Sequence, residues 1–105
     1  MESEQSYDLM YIPSRYDAHT DHRAGNKISL LAIKRLLHQP NVIREYSVWD
    51  PDALKRSTAF GSVVKMTYSD EIADKKIQAL KIYRTQYSEL FRRFETNTED
   101  FIQLR

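Results

Sequence analysis

The stretch Asp-Leu-Met-Tyr-Ile-Pro at residues 8–13 predicts the first strand of the fold. It is a short apolar run, and the proline that closes it removes the next backbone hydrogen-bond donor. Between about His22 and His38, apolar residues recur at steps of three and four until Gln39 and Pro40 end the pattern. This periodicity predicts an amphipathic helix directly after the strand.

Two more strands are predicted further along the chain. Residues 41–49 are rich in Val, Ile, Tyr and Trp, which favour pleated surfaces, and the turn signal Asp-Pro-Asp follows at residues 50–52. The pattern lapses between Asp52 and Gly61, and residues 63–68 restore a strand. Ser69 then supplies a predicted N-cap for a second helix.

The second helix is predicted to be the longest element, and a polar tail follows it. Its apolar stripe consists of Ala73, Ile77, Leu80, Tyr83, Tyr87, Leu90 and Phe94. The tail from Glu95 to Arg105 is predicted to be anchored by Phe101 and Leu104. The order strand, helix, strand, strand, helix predicts an α/β sheet with helices packed on it, forming a single domain over residues 1–105.

Composition restricts the possible classes of protein. The 105 residues are 41% hydrophobic and contain no Cys, which excludes disulfide scaffolds and thiolate metal sites. Lys and Arg total 16 against 15 Asp and Glu, so charge favours neither nucleic acid nor anionic lipid as a partner. No apolar run approaches the ~18–20 residues that span a bilayer, and acidic residues stand where a signal peptide carries Lys or Arg. We therefore expect a cytoplasmic protein that does not enter membranes.

Two histidines and two aspartates are concentrated at residues 16–23, between the first strand and the helix. In open α/β sheets, ligands collect outside the carboxyl ends of the strands. His19 and His22 can face the same way on a first helical turn, and Asp21 can hydrogen-bond an imidazole nitrogen. One histidine could bind a metal while the other acts on a substrate. Alternatively, such pairs occur by chance at polar helix starts, where Asp17 and Asp21 are ordinary capping residues.

Other notable side chains are predicted to be structural. His38 precedes a proline at a helix end, where an imidazolium can meet free carbonyl groups. The basic pairs Lys75-Lys76 and Arg92-Arg93 are predicted to lie on solvated helix faces. The large aromatic residues Trp49, Tyr83 and Tyr87 are predicted to lie in the core.

Residues 11–24, Tyr-Ile-Pro-Ser-Arg-Tyr-Asp-Ala-His-Thr-Asp-His-Arg-Ala, resemble the PIG-L, or LmbE-like, deacetylase family. Members carry a strand, a Pro and then a His-Pro-Asp-His-Arg-Ala stretch that opens a helix. Later segments are similar to the family in the same order. Residues 45–49 look like its strand that ends in an aromatic, residues 63–67 stand in place of Val-Val-Asp-Ile-Ser, and residues 76–86 resemble Lys-x-x-Ala-Leu followed by Tyr-x-Ser-Gln.

This resemblance implies a Rossmann-like layered sheet and a zinc-dependent hydrolase that removes N-acetyl groups from N-acetylglucosamine-type sugars or glycoconjugates. It implies that His22 is a zinc ligand. It also implies that His19 stabilises the oxyanion and protonates the leaving amine, with Asp21 orienting His19. Zinc lowers the pKa of a bound water to about 7 and polarises a carbonyl, and a held imidazolium supplies the proton that an amine needs to leave.

Two departures from the family pattern limit what this chain supplies. Thr20 replaces the Pro of the motif, and Thr also serves at a helix start. The family's His-Pro-Asp-Asp motif, which provides the other zinc ligands and the general base, matches nothing in residues 1–105. A catalytic zinc needs about three protein ligands, so the site is incomplete. The resemblance therefore implies the C-terminal half of such an enzyme, a partial domain from a truncated or frameshifted gene, an internal start, or a split protein.

A partial sheet has a further consequence. An unpaired sheet edge favours pairing with the missing half or self-association. The alternative to the enzyme is therefore a non-catalytic α/β interaction module that binds a protein through this edge.

Overall fold

The computed structural model describes residues 6–48, 52–82 and 96–105, and these form an α/β fold. Within them lie three α-helices and a four-stranded mixed sheet of order β1-β2-β4-β3. The elements are β1 (Leu9–Pro13), α1 (Thr20–Lys34), β2 (Val42–Tyr46), α2 (Ala53–Arg56) with a 3-10 turn (Ser57–Ala59), β3 (Ser62–Thr67), α3 (Asp70–Ile82) and β4 (Thr98–Gln103).

The chain divides into two compact units, which are described separately. Unit 1 comprises Met1–Val64 with Phe101–Arg105, and unit 2 comprises Lys65–Asp100. In unit 1, β1 pairs with β2 in parallel, whereas β2 pairs with β4 in antiparallel fashion. The parallel pair is the part of the sheet that positions the candidate site.

The core of unit 1 is a cluster of isoleucines. Ile12 of β1, Ile33 of α1 and Ile43 of β2 are almost completely buried, and partly buried residues pack against them, namely Met10, Leu30, Leu36 and Leu104. The opposite side of α1 exposes Ile28 and Leu31. The periodicity of α1 therefore contains two apolar faces, and β1 and β2 cover one of them.

Helix α1 lies slightly earlier than the sequence pattern predicts. It begins at Thr20 and ends at Lys34, whereas the periodicity predicts a helix continuing to His38. The Gln39 side-chain amide donates to the Ile33 and Leu36 carbonyl oxygens at 2.7 and 2.8 Å. These bonds satisfy carbonyl groups that a helix end leaves open, so Gln39 takes the role predicted for His38, which is exposed.

The tail contains the largest departure from the predicted fold. Residues 98–103 form strand β4 between β2 and β3, rather than a polar tail with two anchors. Phe101 is buried as expected, and Ile102 is completely buried. Strand β4 pairs Arg44 with Gln103, contacts far apart in sequence that a local pattern does not reveal.

The other differences are smaller. The stretch without a predicted pattern, residues 52–61, contains α2 and the 3-10 turn, and β2 stops at Tyr46 rather than at residue 49. Several predictions concern residues outside the described ranges, namely Trp49, the Asp50-Pro51 part of the turn, the helical stripe from Tyr83 to Phe94 and the pair Arg92-Arg93. No described helix is long and apolar enough to cross a bilayer.

Unit 2 confirms the predicted start of its helix. The Ile72 backbone N–H donates to the Ser69 hydroxyl at 3.3 Å, and α3 begins at Asp70. The prediction that Lys75 and Lys76 both lie on a solvated helix face is confirmed only for Lys75. Lys75 is exposed, whereas the Lys76 side chain is 20% exposed and its ammonium donates to Glu99 at 3.2 Å.

The two glycines of the chain provide a matched test of unit 1. A Cβ at Gly61 would clash with the Gln103 carbonyl oxygen and lie 3.0 Å from Ile102 Cγ2. We expect Gly61→Ala to lower the free energy of unfolding by about 1–3 kcal/mol, the usual cost of overpacking. Gly25 lies within α1, and its Cβ would meet only Pro13 Cγ at 3.4 Å.

Gly25→Ala is therefore the control and should raise the free energy of unfolding by about 0.5–1 kcal/mol. Urea unfolding of both variants measures the difference. Equal effects of the two substitutions would contradict the close approach of Gly61 to β4.

Candidate functional site

The candidate site lies where β1 and β2 end. Because the two strands are parallel, their carboxyl ends meet at the same edge of the sheet. The Ser14 backbone N–H donates to the Tyr46 carbonyl at 2.8 Å, so the paired backbones continue just past β1. Residues 14–19 then lead to the start of α1, and Ser47 and Val48 follow β2. The histidine cluster is therefore placed at the edge that the sequence pattern predicts.

A buried carboxylate connects the two strand ends. Asp17 is completely buried, and its Oδ2 lies 2.9 Å from His22 Nδ1. The same oxygen accepts the Val48 backbone N–H at 3.0 Å. Asp17 thus joins the loop after β1, the first turn of α1 and the segment after β2.

This contact determines which nitrogen of His22 is open to a ligand. A carboxylate accepts hydrogen bonds, so His22 Nδ1 is the donor and the lone pair of the neutral ring is on Nε2. Metal-binding histidines usually donate their other ring N–H to a carboxylate or carbonyl, which fixes the tautomer and the orientation of the ring. The His22 side chain is 27% exposed, so it combines a fixed ring with access from solvent.

His19 is placed beside His22 by the start of the helix. It is the N-cap residue of α1, and its Nδ1 accepts the Asp21 backbone N–H at 3.1 Å. The ring centroids of His19 and His22 are 5.2 Å apart. The structure therefore brings the two imidazoles together on one side, as their spacing predicts.

Asp21 contacts His19 mainly through its backbone. Its carboxylate Oδ2 lies 4.0 Å from His19 Nδ1, and the Asp21 side chain is 90% exposed. When His19 Nδ1 accepts a hydrogen bond, the ring hydrogen of the neutral form is on Nε2. His19 can then present an N–H to an incoming group.

Arg23 holds the loop that carries Asp17. Its Nη1 donates to the Asp17 and Ala18 carbonyl oxygens, both at 2.8 Å. These charge-assisted bonds connect the first turn of α1 to the loop before it. Arg23 thereby stabilises the geometry of the His22 contact.

A second cluster at the same edge is centred on Glu45, the fourth residue of β2. Glu45 is completely buried. Its Oε2 accepts from Arg15 Nε at 3.0 Å and from Asn26 Nδ2 at 2.8 Å, and Asn26 Nδ2 also lies 2.8 Å from the Pro13 carbonyl oxygen. Its Oε1 has no hydrogen-bond partner among the described residues.

The sequence pattern places Asp17 at this edge but does not predict its contact with His22, and it does not predict Arg15 or Glu45 as parts of the edge. The alternative interpretation makes Asp17 a capping residue, but the N-cap of α1 is His19. Arg15 and its partner Glu45 are 30 residues apart, and no sequence spacing predicts their contact. For Asp17, the available signal is a carboxylate five residues before a histidine at a helix start, which is a weak pattern.

The described residues do not form a metal site by themselves. Within residues 6–48, 52–82 and 96–105, no group of three or more His, Asp or Glu side chains is arranged to hold a metal ion. His22 nonetheless has the environment of a single ligand, since Nε2 is available and Nδ1 is bound to a buried carboxylate.

Comparisons with known proteins leave the family resemblance as a prediction. No protein-family model matches the chain, and no curated protein or solved structure matches it.

The role of Asp17 can be tested against Asp21, a residue of the same type four positions away. Asp17→Ala leaves the Val48 N–H and His22 Nδ1 without their carboxylate, and should lower the free energy of unfolding by about 2–3 kcal/mol. Asp21→Ala removes an exposed carboxylate from the first turn of α1, so we expect less than about 1 kcal/mol. Urea unfolding measures both, and similar losses would contradict a structural role for Asp17.

Proposed function

We propose that this chain supplies part of the active site of a cytoplasmic zinc-dependent N-deacetylase that acts on N-acetylglucosamine-type sugars. In this proposal, the sheet belongs to a larger Rossmann-like layered domain. The remaining zinc ligands and the general base come from a His-Pro-Asp-Asp segment outside these 105 residues. The observation that carries the proposal is the contact between His22 Nδ1 and the buried Asp17 carboxylate.

The residues present suit the parts that the proposal assigns to them. His22 offers Nε2 as a ligand atom, and Asp17 holds that ring in the required tautomer. When bound, zinc would polarise the amide carbonyl and lower the pKa of a water molecule to about 7. His19 stands next to His22, where its Nε2–H can donate a hydrogen bond to the developing oxyanion. To protonate the departing amine the ring must be an imidazolium, whose Nδ1 also carries a proton and no longer accepts the Asp21 backbone N–H.

Each side chain thus has one task. His22 binds, and Asp17 orients His22. His19 donates a hydrogen bond to the oxyanion and, as an imidazolium, a proton to the amine. The Asp21 backbone N–H bonds the neutral His19 ring, and the Asp21 carboxylate lies nearby. Arg23 keeps the loop of Asp17 against α1. The proposal keeps the roles implied by the family resemblance for His19, Asp21 and His22, and adds Asp17 as a positioning residue.

The experiment begins with the DNA upstream of the codon for Met1, translated in all three frames. A strand followed by His-Pro-Asp-Asp supports the proposal, and its absence contradicts an origin in one gene. In the protein that joins both segments, His22→Ala should abolish zinc binding and acetate release from an N-acetylglucosamine derivative. Asp17→Asn should weaken zinc binding by about 10–100-fold, the usual effect of losing an outer partner.

His38→Ala is the matched control, because His38 is exposed and lies beyond the end of α1. It should leave bound zinc and acetate release unchanged. If His22→Ala retains full activity with the fold intact by circular dichroism, the proposed role of His22 is wrong.

A second candidate function is a protein-interaction module that uses the edge of the sheet. Strand β1 lies at one edge of the sheet formed by the described residues, and its Leu9 and Tyr11 side chains are each 43% exposed. A strand edge presents backbone N–H and C=O groups that can pair with another chain. The candidate occupants are the missing half of the enzyme or a second copy of this chain.

Self-association through β1 should respond to a charge placed on that strand. We expect the sedimentation coefficient of the chain to rise with concentration, and Leu9→Lys to reduce this rise because charged side chains protect sheet edges. The control is Leu31→Lys, which places the same charge at a 61% exposed leucine of α1. A constant monomer, or equal effects of both variants, would contradict pairing through β1.

A further inference from the structure

Arg15 is the partly exposed member of the Glu45 cluster, and its guanidinium is held on two sides. Its Nε donates to the buried Glu45 carboxylate at 3.0 Å. Its Cζ stands 4.0 Å from the centre of the Phe60 ring, which covers one face of the group. The side chain remains 24% exposed.

The other two nitrogens of this guanidinium are available. Arg15 Nη1 and Nη2 donate no hydrogen bond to any residue in the described ranges. A guanidinium carries N–H groups on all three nitrogens, and its Nη groups form a planar fork that matches two oxygens of a carboxylate or phosphate. The Glu45 contact occupies the Nε side and leaves this fork open.

The contacts of Arg15 also reduce the conformational entropy that its side chain loses when a ligand binds. A free arginine must lose much of its rotamer freedom to form a bidentate contact. Arg15 is already fixed by Phe60 and by Glu45, which is itself held by Asn26. Less freedom therefore remains to be lost when a ligand binds.

A second arginine, Arg56, contacts the aromatic ring beside Phe60. Arg56 Nη2 donates to the Tyr16 carbonyl oxygen at 3.2 Å, and Arg56 Cζ stands 5.9 Å from the Tyr16 ring. The Tyr16 and Phe60 rings are 6.3 Å apart. The two arginines thus contact neighbouring aromatic rings.

We propose that Arg15 forms a binding site for an oxyanion, the carboxylate or phosphate group of a ligand that approaches the carboxyl edge of β1. The contact is a bidentate one from Nη1 and Nη2, with Glu45 and Phe60 as positioning residues. This binding does not depend on deacetylation, so either proposal can fail without the other.

The test is an NMR titration of the unmodified chain with inorganic phosphate and, separately, with acetate, at ionic strength held constant with sodium chloride. The Arg15 side-chain Nε–H signal should shift and saturate. Saturation with phosphate alone identifies a phosphate site, and saturation with acetate as well identifies a site that also accepts carboxylates. A linear shift that matches that of Arg35, an exposed arginine at the end of α1, would overturn the proposal.

Arg15→Lys keeps the charge and removes the fork, so the affinity for the anion should fall by about tenfold. Arg35→Lys is the matched control and should leave the affinity unchanged. Equal affinities in the unmodified chain and in a folded Arg15→Lys variant would also overturn the proposal. If that variant does not fold, the titration of the unmodified chain still decides the question.

Discussion

The parallel pairing of β1 with β2 is the constraint on which the rest of unit 1 depends. It brings the two strand ends to one edge, where the Asp17 carboxylate bonds both His22 and the Val48 backbone. A buried carboxylate is costly unless hydrogen bonds compensate for lost water. Asp17 therefore remains buried only if the loop, the helix start and the second strand end keep their positions, and the orientation of His22 follows from that requirement.

Glu45 is a second buried carboxylate that holds a basic side chain, in this case Arg15. Each buried carboxylate holds one partly exposed basic side chain, His22 in the case of Asp17 and Arg15 in the case of Glu45. Holding a base from its buried side leaves its outer nitrogen atoms for a ligand while limiting its motion. The same edge thus presents one imidazole and one guanidinium that are each held by a buried carboxylate.

Local patterns predicted the elements whose signals are contiguous in the chain. The strand at residues 8–13 and the two long helices have periodicity, a closing proline or a capping serine. The structure contains this strand, α1 and, within the described residues, α3 from Asp70 to Ile82. Strand β4 and helix α2 were missed. Thr-Glu-Asp-Phe-Ile-Gln does not alternate between apolar and polar residues, and its burial depends on pairing with β2 more than fifty residues earlier.

For the candidate site, the sequence by itself determined that His19 and His22 would stand together, because residues three apart on a first helical turn share a face. It also placed them after a strand, at a position where α/β proteins bind ligands. Only the tertiary structure decided that Asp17 bonds His22 instead of capping the helix, and that Glu45 holds Arg15. Those contacts form only when distant segments pack together and remove water from their polar groups. A local sequence pattern cannot predict them, because burial is a property of the folded chain.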